Sequence, residues 1–469
     1  MSDLDLGTLT IARAGRALRA KELSPLELTE LYLARIARLE PRVNAYITVT
    51  EERARADAKR ATEELAKGGA RGPLHGVPIA LKDLYETAGI RTTGGAKIHA
   101  EHVPAQDCTV ARRLREAGTI LLGKLNTHEY AYGVTTDNPH FGPTRNPWDL
   151  ERIPAGSSGG SGAAIAAGLA TATTGTDTGG SIRMPASVCG VVGLKPTYGR
   201  VSKAGVLPLS FLLDHAGPIT RTVEDAALVM NAIAGYDPAD ANSVRTPVPE
   251  FTAELTAGLR GLRVGVPRGY FFARLDDEVA GGVERALEQL AALGAELREV
   301  EIPDIDGALA AVFALVLAEA QGIHARSLRT RRADFGADVL ALLASPTPDA
   351  AVLVQGLRTR DALSAAMRAV LETVDVLVTP TTPIPAARIG QESVRYGGAE
   401  ESILSAMIRC TAPFNASGLP ALSQPCGFTR AGLPIGLQII GRPFDEVTVL
   451  RAGHAYEQAT DWHTRTPRL

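Results

Sequence analysis

Helical segments that lead directly into short strand-like segments are the feature that most constrains the fold of this chain. Residues 110–117 have the pattern of a helix and are followed at once by a strand-like segment at 119–122. The same order recurs where a helical pattern over 277–293 precedes a strand-like segment at 296–302. Such alternation is typical of α/β architecture, in which helices cover the faces of a sheet. The sequence therefore predicts an α/β fold.

Local signals mark further elements. The tetrapeptide Ser24-Pro25-Leu26-Glu27 is a capping box with proline at the first helical position, and apolar residues at helical spacing extend this helix to about residue 40. Residues 76–83 are typical of a buried strand that ends in charge at Lys82 and Asp83. Each of these signals acts over a few residues, so we expect the elements to form where the patterns lie.

The domain organisation is predicted to be simple. Residues 305–370 are rich in alanine and leucine and read as helices, which Pro346 and Pro348 interrupt. We predict one large domain over residues 1–469, with its principal motifs in 70–235 and a variable helical region at about 303–410.

Composition narrows the class of protein. Of the 469 residues, 45% are hydrophobic, enough for a large core, and 49 basic against 52 acidic residues give a net charge of −3. No polybasic run stands out, so neither nucleic acid nor an anionic membrane is expected as a partner. The first five residues lack the features of a secretory signal, and the apolar run 308–318 is shorter than the roughly 20 residues that span a bilayer. We expect a cytoplasmic location.

Cysteine and histidine usage points away from metal chemistry. The four cysteines lie far apart without a CxxC pair, and the nine histidines show no metal-ligand spacing. We therefore expect no disulfide framework, no metal site and no cofactor.

Residues 156–162, Gly-Ser-Ser-Gly-Gly-Ser-Gly, admit two interpretations. Such composition is typical of a flexible linker. However, the alanine-rich segment 163–167 follows at once and favours a helix. A glycine/serine loop that enters a helix indicates a place where bare backbone approaches a ligand or another segment of the chain.

A second glycine motif covers residues 175–185. Its two glycines, Gly179 and Gly180, precede Ser181, and such a backbone can expose a hydroxyl while aiming successive N–H groups at one point. That arrangement suits a nucleophile beside an oxyanion hole. An ordinary glycine turn is the alternative. The motif is not the elbow of the α/β-hydrolases, because no GxSxG pattern surrounds it.

A nucleophilic serine needs a base, and histidine is the usual one. The histidines nearest in sequence to these loops are His140 and His215. A lysine can serve when desolvation lowers its pKa enough to leave it neutral. Lys82, at the end of an apolar run, is the best-placed lysine, although an exposed residue at a strand end is the alternative interpretation.

Several long motifs, in order along the chain, resemble those of the amidase-signature family. The strand 76–83 and both glycine motifs belong to this set. So do Phe-Gly-Pro-Thr-Arg-Asn-Pro-Trp-Asp at 141–149, Gly-Val-Val-Gly-Leu-Lys-Pro-Thr-Tyr-Gly-Arg at 190–200 and Gly-Leu-Pro-Ile-Gly-Leu-Gln-Ile-Ile-Gly at 432–441. The resemblance covers nearly the whole chain and is weakest over 303–410. It implies a large mixed central β-sheet flanked by helices on both faces, with a variable helical insertion.

The resemblance also implies roles for individual residues. Ser181 matches the family's nucleophile, Lys82 its general base, and Ser157 the serine on a cis peptide bond that relays protons between them. The backbone N–H groups of four consecutive residues match the oxyanion hole: Thr178, Gly179, Gly180 and Ser181. Three further residues match side chains that hold this loop in place: Ser158, Asp177 and Arg183.

The absence of two charged residues narrows the range of substrates expected for this chain. In glutamyl-tRNA(Gln) amidotransferase, the A-type subunit is another family member and clamps glutamine with an arginine and an aspartate. The corresponding positions here fall in 335–343, which has no arginine pair, and near Ile408. We therefore expect a stand-alone serine amidase that cleaves the C–N bond of small linear amides with apolar or aryl acyl groups. Carbamate (urethane), anilide or ester hydrolysis is the alternative, followed by an amidotransferase A-type subunit or a non-catalytic subunit. For the oligomeric state, a homodimer and a monomer both remain open.

Overall fold

The computed structural model of this chain describes residues 5–469. The first four residues, on which part of the expected absence of a secretory signal rests, lie outside that range. Fifteen α-helices, numbered α1 to α15 in chain order, lie in the described range: Ile11–Arg19, Pro25–Val43, Glu51–Ala66, Thr109–Glu116, Gly159–Ala166, Arg183–Cys189, Val223–Ile233, Arg268–Phe272, Asp277–Ala292, Ala308–Thr330, Ala337–Leu343, Ala350–Thr373, Ile403–Arg409, Ala412–Ala416 and Glu446–Gln458.

Fifteen β-strands, numbered β1 to β15, lie in the same residues: Tyr46–Val49, Pro78–Lys82, Ile120–Leu125, Asp137–Asn138, Gly142–Pro143, Ala172–Asp177, Val192–Lys195, His215–Thr220, Arg263–Val266, Glu296–Glu299, Val376–Pro380, Ser393–Tyr396, Ala399–Ser402, Ala421–Phe428 and Pro434–Gly441. The predicted helices and strands therefore form where the patterns lie, with small changes at their ends. The predicted strand 296–302, for example, ends at Glu299.

The capping box at the start of α2 is present. Ser24 Oγ accepts a hydrogen bond of 3.1 Å from the backbone N–H of Glu27, and Glu27 Oε2 accepts one of 2.8 Å from the backbone N–H of Ser24. These two contacts satisfy N–H groups that the first turn of a helix leaves without partners. This helix start was thus predictable from four residues.

Eleven strands form one mixed sheet in the order β1-β3-β2-β6-β8-β7-β14-β15-β11-β9-β10. Strand β2 pairs in parallel with both β3 and β6. The pairs β6–β8, β7–β8, β7–β14, β14–β15 and β11–β15 are antiparallel. The predicted α/β fold with a large mixed central sheet is confirmed.

Helices cover both faces of this sheet. Successive strand residues point to opposite faces, and β15 shows what each face meets. Ile435 packs against Gly282 of α9, whereas a methyl group at the next residue, Gly436, would collide with Ser187 of α6. Helices α9 and α6 therefore lie on opposite faces of the sheet.

The predicted helical region, about 303–410, contains the helices α10 to α13, with α12 packed against α10. It is not helical throughout, because it also contains the sheet strand β11 and an antiparallel hairpin of β12 and β13. The apolar run 308–318 is the first half of the 23-residue helix α10, which is long and apolar enough, by length and composition alone, to cross a membrane. Glu319 at its centre nevertheless accepts hydrogen bonds from Ser210 and the backbone of Leu212. These contacts tie α10 to the loop that precedes β8.

Candidate active site

Lys82 lies at the carboxyl end of β2, and the second glycine motif begins at the carboxyl end of the adjacent parallel strand β6. Parallel neighbours end at the same edge of a sheet, which is where open α/β sheets place ligands. The Lys82 side chain is completely buried, so the alternative of an exposed strand-end lysine is wrong. The sheet thus brings Lys82 to both glycine motifs.

Three hydroxyl groups surround the Lys82 amine. Nζ lies 2.7 Å from Ser157 Oγ, 2.9 Å from Ser158 Oγ and 2.8 Å from Thr176 Oγ1. Burial lowers the pKa of Lys82 to about 7, although the carboxylates of Asp214 and Asp177 act in the opposite direction. A large fraction of Lys82 is therefore neutral near neutral pH.

The hydrogen-bond pattern fits a neutral amine, which has two N–H donors and one lone pair. Ser158 Oγ donates to the carbonyl oxygen of Thr176 at 3.2 Å, so it accepts from Lys82. Within residues 5–469, the hydroxyls of Ser157 and Thr176 hydrogen-bond only to Lys82. One of these two hydroxyls can therefore donate its proton to the amine while the other accepts from it.

The first glycine motif is buried and closely packed. The peptide bond between Gly156 and Ser157 is cis, and α5 begins at Gly159 with all its residues buried. A Cβ at Gly160 would lie 2.5 Å from the carbonyl oxygen of Asn126 and 2.6 Å from that of Ala45. The interpretation as a flexible linker is therefore wrong, because these glycines allow other chain segments to pack closely.

Ser181 lies beside this loop. Its carbonyl oxygen accepts a hydrogen bond of 3.3 Å from the backbone N–H of Ser158. In the described part of the chain, the Ser181 hydroxyl makes no hydrogen bond, so the link from Ser157 to Ser181 is not formed in this state. Catalytic hydrogen bonds often shorten only when substrate is bound.

The four backbone N–H groups predicted for the oxyanion hole, at Thr178, Gly179, Gly180 and Ser181, donate to no acceptor in residues 5–469. Gly180 has a φ of +137°, and a Cβ there would collide with Thr411. Glycine is thus required at 180 for both conformation and space. The free N–H groups are available to a developing oxyanion.

A buried ion pair between Arg183 and Asp177 supports the loop that carries Ser181. Arg183 Nη2 donates to Asp177 Oδ1 at 2.9 Å, and Arg183 Nε donates to Asp177 Oδ2 at 3.0 Å. Asn415 adds a hydrogen bond of 2.7 Å from Nδ2 to Asp177 Oδ1. Burial would raise the pKa of Asp177, but the charge and hydrogen bonds of Arg183 hold it well below its usual range. The carboxylate also accepts from the backbone N–H of Ile182, directly after Ser181.

Ser181 opens into an apolar cavity of about 60 Å³. Its lining includes no charged side chain and consists of Ala131, Tyr132, Gly133, Val134, Thr178, Gly179, Ser181, Leu209, Val312, Phe313, Val316, Leu342, Leu404 and Ile408. The helices α10 and α13 supply five of these residues. Ile408, near which the aspartate of an A-type subunit would fall, is one of them.

Sequence reasoning missed several neighbours of the site. Thr176, which contacts Lys82, stands next to Asp177 and could have been noticed from the motif. Asn415 and Thr411 lie more than 200 residues from the loop they contact, and no local signal marks them. No cluster of His, Cys, Asp or Glu suited to a metal ion occurs in residues 5–469.

Comparison with known proteins identifies the family. The family model described as Amidase matches residues 27–450. This chain belongs to the amidase family. The central sheet and the motifs around Lys82, Ser157 and Ser181 are thus parts of an amidase-signature protein, and hydrolysis of amides is the activity of the family.

Its relatives include both amidotransferase subunits and amidases. It is 45% identical to the A-type subunit of the glutamyl-tRNA(Gln) amidotransferase of Roseiflexus sp. over an alignment of 490 positions, gaps included, which covers 99% of each chain. It is 46% identical to an amidase of Pseudomonas putida over 467 residues, covering 99% of this chain and 98% of that one. A solved chain from a vestigial protein complex, described in connection with the origins of an s-triazine catabolic enzyme, matches with a TM-score of 0.92 at 36% identity. That match covers 98% of this chain and 100% of the other.

Proposed function

We propose that this protein is a stand-alone serine amidase that hydrolyses small linear amides with apolar or aryl acyl groups. The observation that carries the proposal is the cavity at Ser181, which has no charged residue in its lining. A substrate carboxylate or ammonium group buried there would stay unpaired, at a cost of several kcal/mol. Apolar acyl groups carry no such penalty and gain from leaving water.

The proposed mechanism begins with Lys82 in its neutral form. Lys82 takes a proton from Ser157 while Ser157 takes one from Ser181, and Ser181 Oγ attacks the acyl carbon. Charge then develops on the carbonyl oxygen, where the free N–H groups of residues 178–181 can stabilise it. A single donor of this kind contributes about 3–4 kcal/mol in other hydrolases.

Release of the leaving group reverses the proton path. The ammonium group of Lys82 returns its proton through Ser157 to the leaving nitrogen, which departs as an amine or ammonia and leaves an acyl-enzyme on Ser181. Water then attacks the ester with the same residues as base and relay. Because an amide nitrogen is a poor leaving group, we expect the protonation to matter as much as the attack.

The test compares neutral and charged substrates on one enzyme preparation. We expect hexanamide or benzamide to be hydrolysed at least about tenfold more efficiently, in kcat/KM, than free glutamine or asparagine, which corresponds to about 1.4 kcal/mol. Ammonia release is the measurement, and Ser181→Ala supplies the background rate. Equal or better turnover of glutamine would show that a charged clamp exists and would refute the proposal.

An amidotransferase A-type subunit is the second candidate, because Roseiflexus sp. has a relative of that name. That relative and the Pseudomonas putida amidase both align with nearly the whole of this chain, at 45% and 46% identity, so identity does not separate the two candidates. The lining of the cavity at Ser181 favours the stand-alone amidase, because it offers no charged side chain to bind the charged groups of glutamine.

Carbamates and esters pass through the same acyl-enzyme chemistry, so urethanase and esterase activity are variants of the proposal. Release of p-nitroaniline, p-nitrophenol or ammonia from matched anilides, esters, carbamates and amides will rank them. We further propose that the partner is a small-molecule substrate, that the protein is cytoplasmic, and that it is either a homodimer or a monomer. Light scattering during size-exclusion chromatography will distinguish dimer from monomer.

A further inference from the structure

The carboxylate of Asp214 joins two parts of the candidate site. Asp214 Oδ1 accepts a hydrogen bond of 2.6 Å from Thr178 Oγ1. Asp214 Oδ2 accepts from the backbone N–H groups of Leu209, at 2.9 Å, and Ser210, at 3.1 Å. Thr178 belongs to the oxyanion-hole loop, and Leu209 lies in the wall of the apolar cavity. One buried side chain therefore connects the loop to the cavity wall.

The loop has few other supports at this end. Thr178 is the one residue between Asp177 and Ser181 that has a side chain, since residues 179 and 180 are glycines. Glycines leave a backbone conformationally free unless other contacts fix it. Two further hydrogen bonds hold the backbone of this stretch: Thr411 Oγ1 donates to the carbonyl oxygen of Gly179 at 2.5 Å, and the backbone N–H of Met184 donates to that of Gly180 at 2.7 Å. The Thr178 hydroxyl is thus the loop's own side-chain anchor.

We propose that Asp214 is a positioning residue for amide hydrolysis, which holds the oxyanion-hole loop against the acyl cavity through the hydroxyl of Thr178. The inference rests on the proposed function, because it requires Ser181 to be the nucleophile. An oxyanion hole works only when its donors are fixed before charge develops. Release of the anchor should therefore slow the chemical step more than it weakens substrate binding.

The first experiment removes the hydroxyl and keeps the shape. Thr178→Val retains the backbone N–H but cannot bond to Asp214, and misplacement of a catalytic group by about 1 Å can cost about 100-fold in rate. We expect kcat for hexanamide to fall about 10- to 100-fold with KM nearly unchanged, as for an interaction made only in the transition state. Phosphonylation of Ser181 by a fluorophosphonate should slow by a similar factor, because its phosphoryl oxygen occupies the same hole.

Two variants control for simple loss of stability. Thr178→Ser restores the hydroxyl and should recover most of the wild-type rate. Thr220→Val makes the same substitution at a buried threonine of β8, whose hydroxyl donates to the carbonyl oxygen of Thr222 at 2.9 Å, at the end of the strand away from the loop. It should lower the melting temperature without slowing labelling. A Thr178→Val enzyme labelled at the wild-type rate, or a Thr220→Val enzyme slowed equally, would overturn the proposal.

A second experiment tests the charge of Asp214. A residue that only held the loop in place would not shift the pH profile of the reaction through its charge. The titratable groups around Asp214 are Lys82, Tyr85, Tyr198, Lys203, His215 and, through Ser210, Glu319. The Asp214 carboxylate raises the pKa of Lys82. Asp214→Asn should therefore move the acid limb of the kcat/KM profile to lower pH, whereas Thr178→Val should leave its midpoint in place. An unmoved or higher midpoint in Asp214→Asn would contradict the assignment of an ionised Asp214 at this position.

Different results would refute the proposed function and the proposed role of Asp214. If the wild-type enzyme is neither labelled on Ser181 nor active on any amide, the proposed function is wrong. If the wild type is labelled and active but Thr178→Val matches it, only the role of Asp214 is wrong.

Discussion

Lys82 Nζ lies 2.7 Å from Ser157 Oγ, and both side chains are fully excluded from solvent. An amine in that environment loses the hydration that stabilises its charged form, while nearby carboxylates restore only part of it. The contact therefore joins a lysine that is easily deprotonated to a hydroxyl with no other partner in residues 5–469. If Lys82 is the base of the proposed mechanism, the activity of the site depends on pH.

The first prediction is the direction of that dependence. Because burial lowers the pKa of Lys82 to about 7, the neutral amine is the main form above that pH and the ammonium below it. We expect kcat/KM to rise with pH, with a midpoint near 7, and to fall about tenfold per pH unit well below it. Lys82→Arg should be nearly inactive, because guanidinium does not deprotonate in proteins. Substantial activity in Lys82→Arg would place the base elsewhere.

The second prediction concerns the nucleophile. Ser181→Ala should abolish hydrolysis but change the free energy of unfolding by no more than about 0.5 kcal/mol, because the hydroxyl makes no hydrogen bond in residues 5–469. A fluorophosphonate should label Ser181, as mass spectrometry of peptides will show. A label on Ser157 or Ser161 instead would refute the assignment.

The third prediction concerns the buried ion pair. Arg183→Met leaves the Asp177 carboxylate buried and without its cation, so we expect a loss of about 3–5 kcal/mol in the free energy of unfolding. The double variant Asp177→Asn/Arg183→Met should lose less than the single one. Arg268→Met removes an arginine from an exposed pair with Glu284 and should cost no more than about 1 kcal/mol. Urea denaturation measures all three, and equal losses at both sites would contradict this account.

The fourth prediction separates two adjacent glycines. A methyl group at Gly179 would meet only Ile408, at 3.8 Å, whereas one at Gly180 would collide with Thr411 and require a φ of +137°. Gly179→Ala should therefore fold normally and lose activity mainly with bulky acyl groups, because it narrows the cavity. Gly180→Ala should be less stable and inactive with every substrate. Melting temperatures and kcat/KM for acetamide, hexanamide and benzamide provide the comparison.

Much of the fold could be predicted from the sequence because its signals are local. The capping box at Ser24 involves contacts over three residues, and the apolar patterns of β2 and β15 mark strands that the structure buries completely. The glycine motifs around Ser157 and Ser181 were recognisable for the same reason, since their glycines reflect the close packing and the backbone conformation required there. Tertiary structure changed the ends of these elements by only a few residues.

Tertiary structure alone decided which distant groups meet at those motifs. Asp214 and Thr411 contact residues 178 and 179 from connecting segments that share no pattern with the glycine motif. Hydrogen bonds and burial depend on three-dimensional neighbours, whereas sequence patterns record only a residue's own segment. Lys82 is the clearest case: its charge suggested a surface position, and only the packing of β2 between β3 and β6 buries it and lowers its pKa.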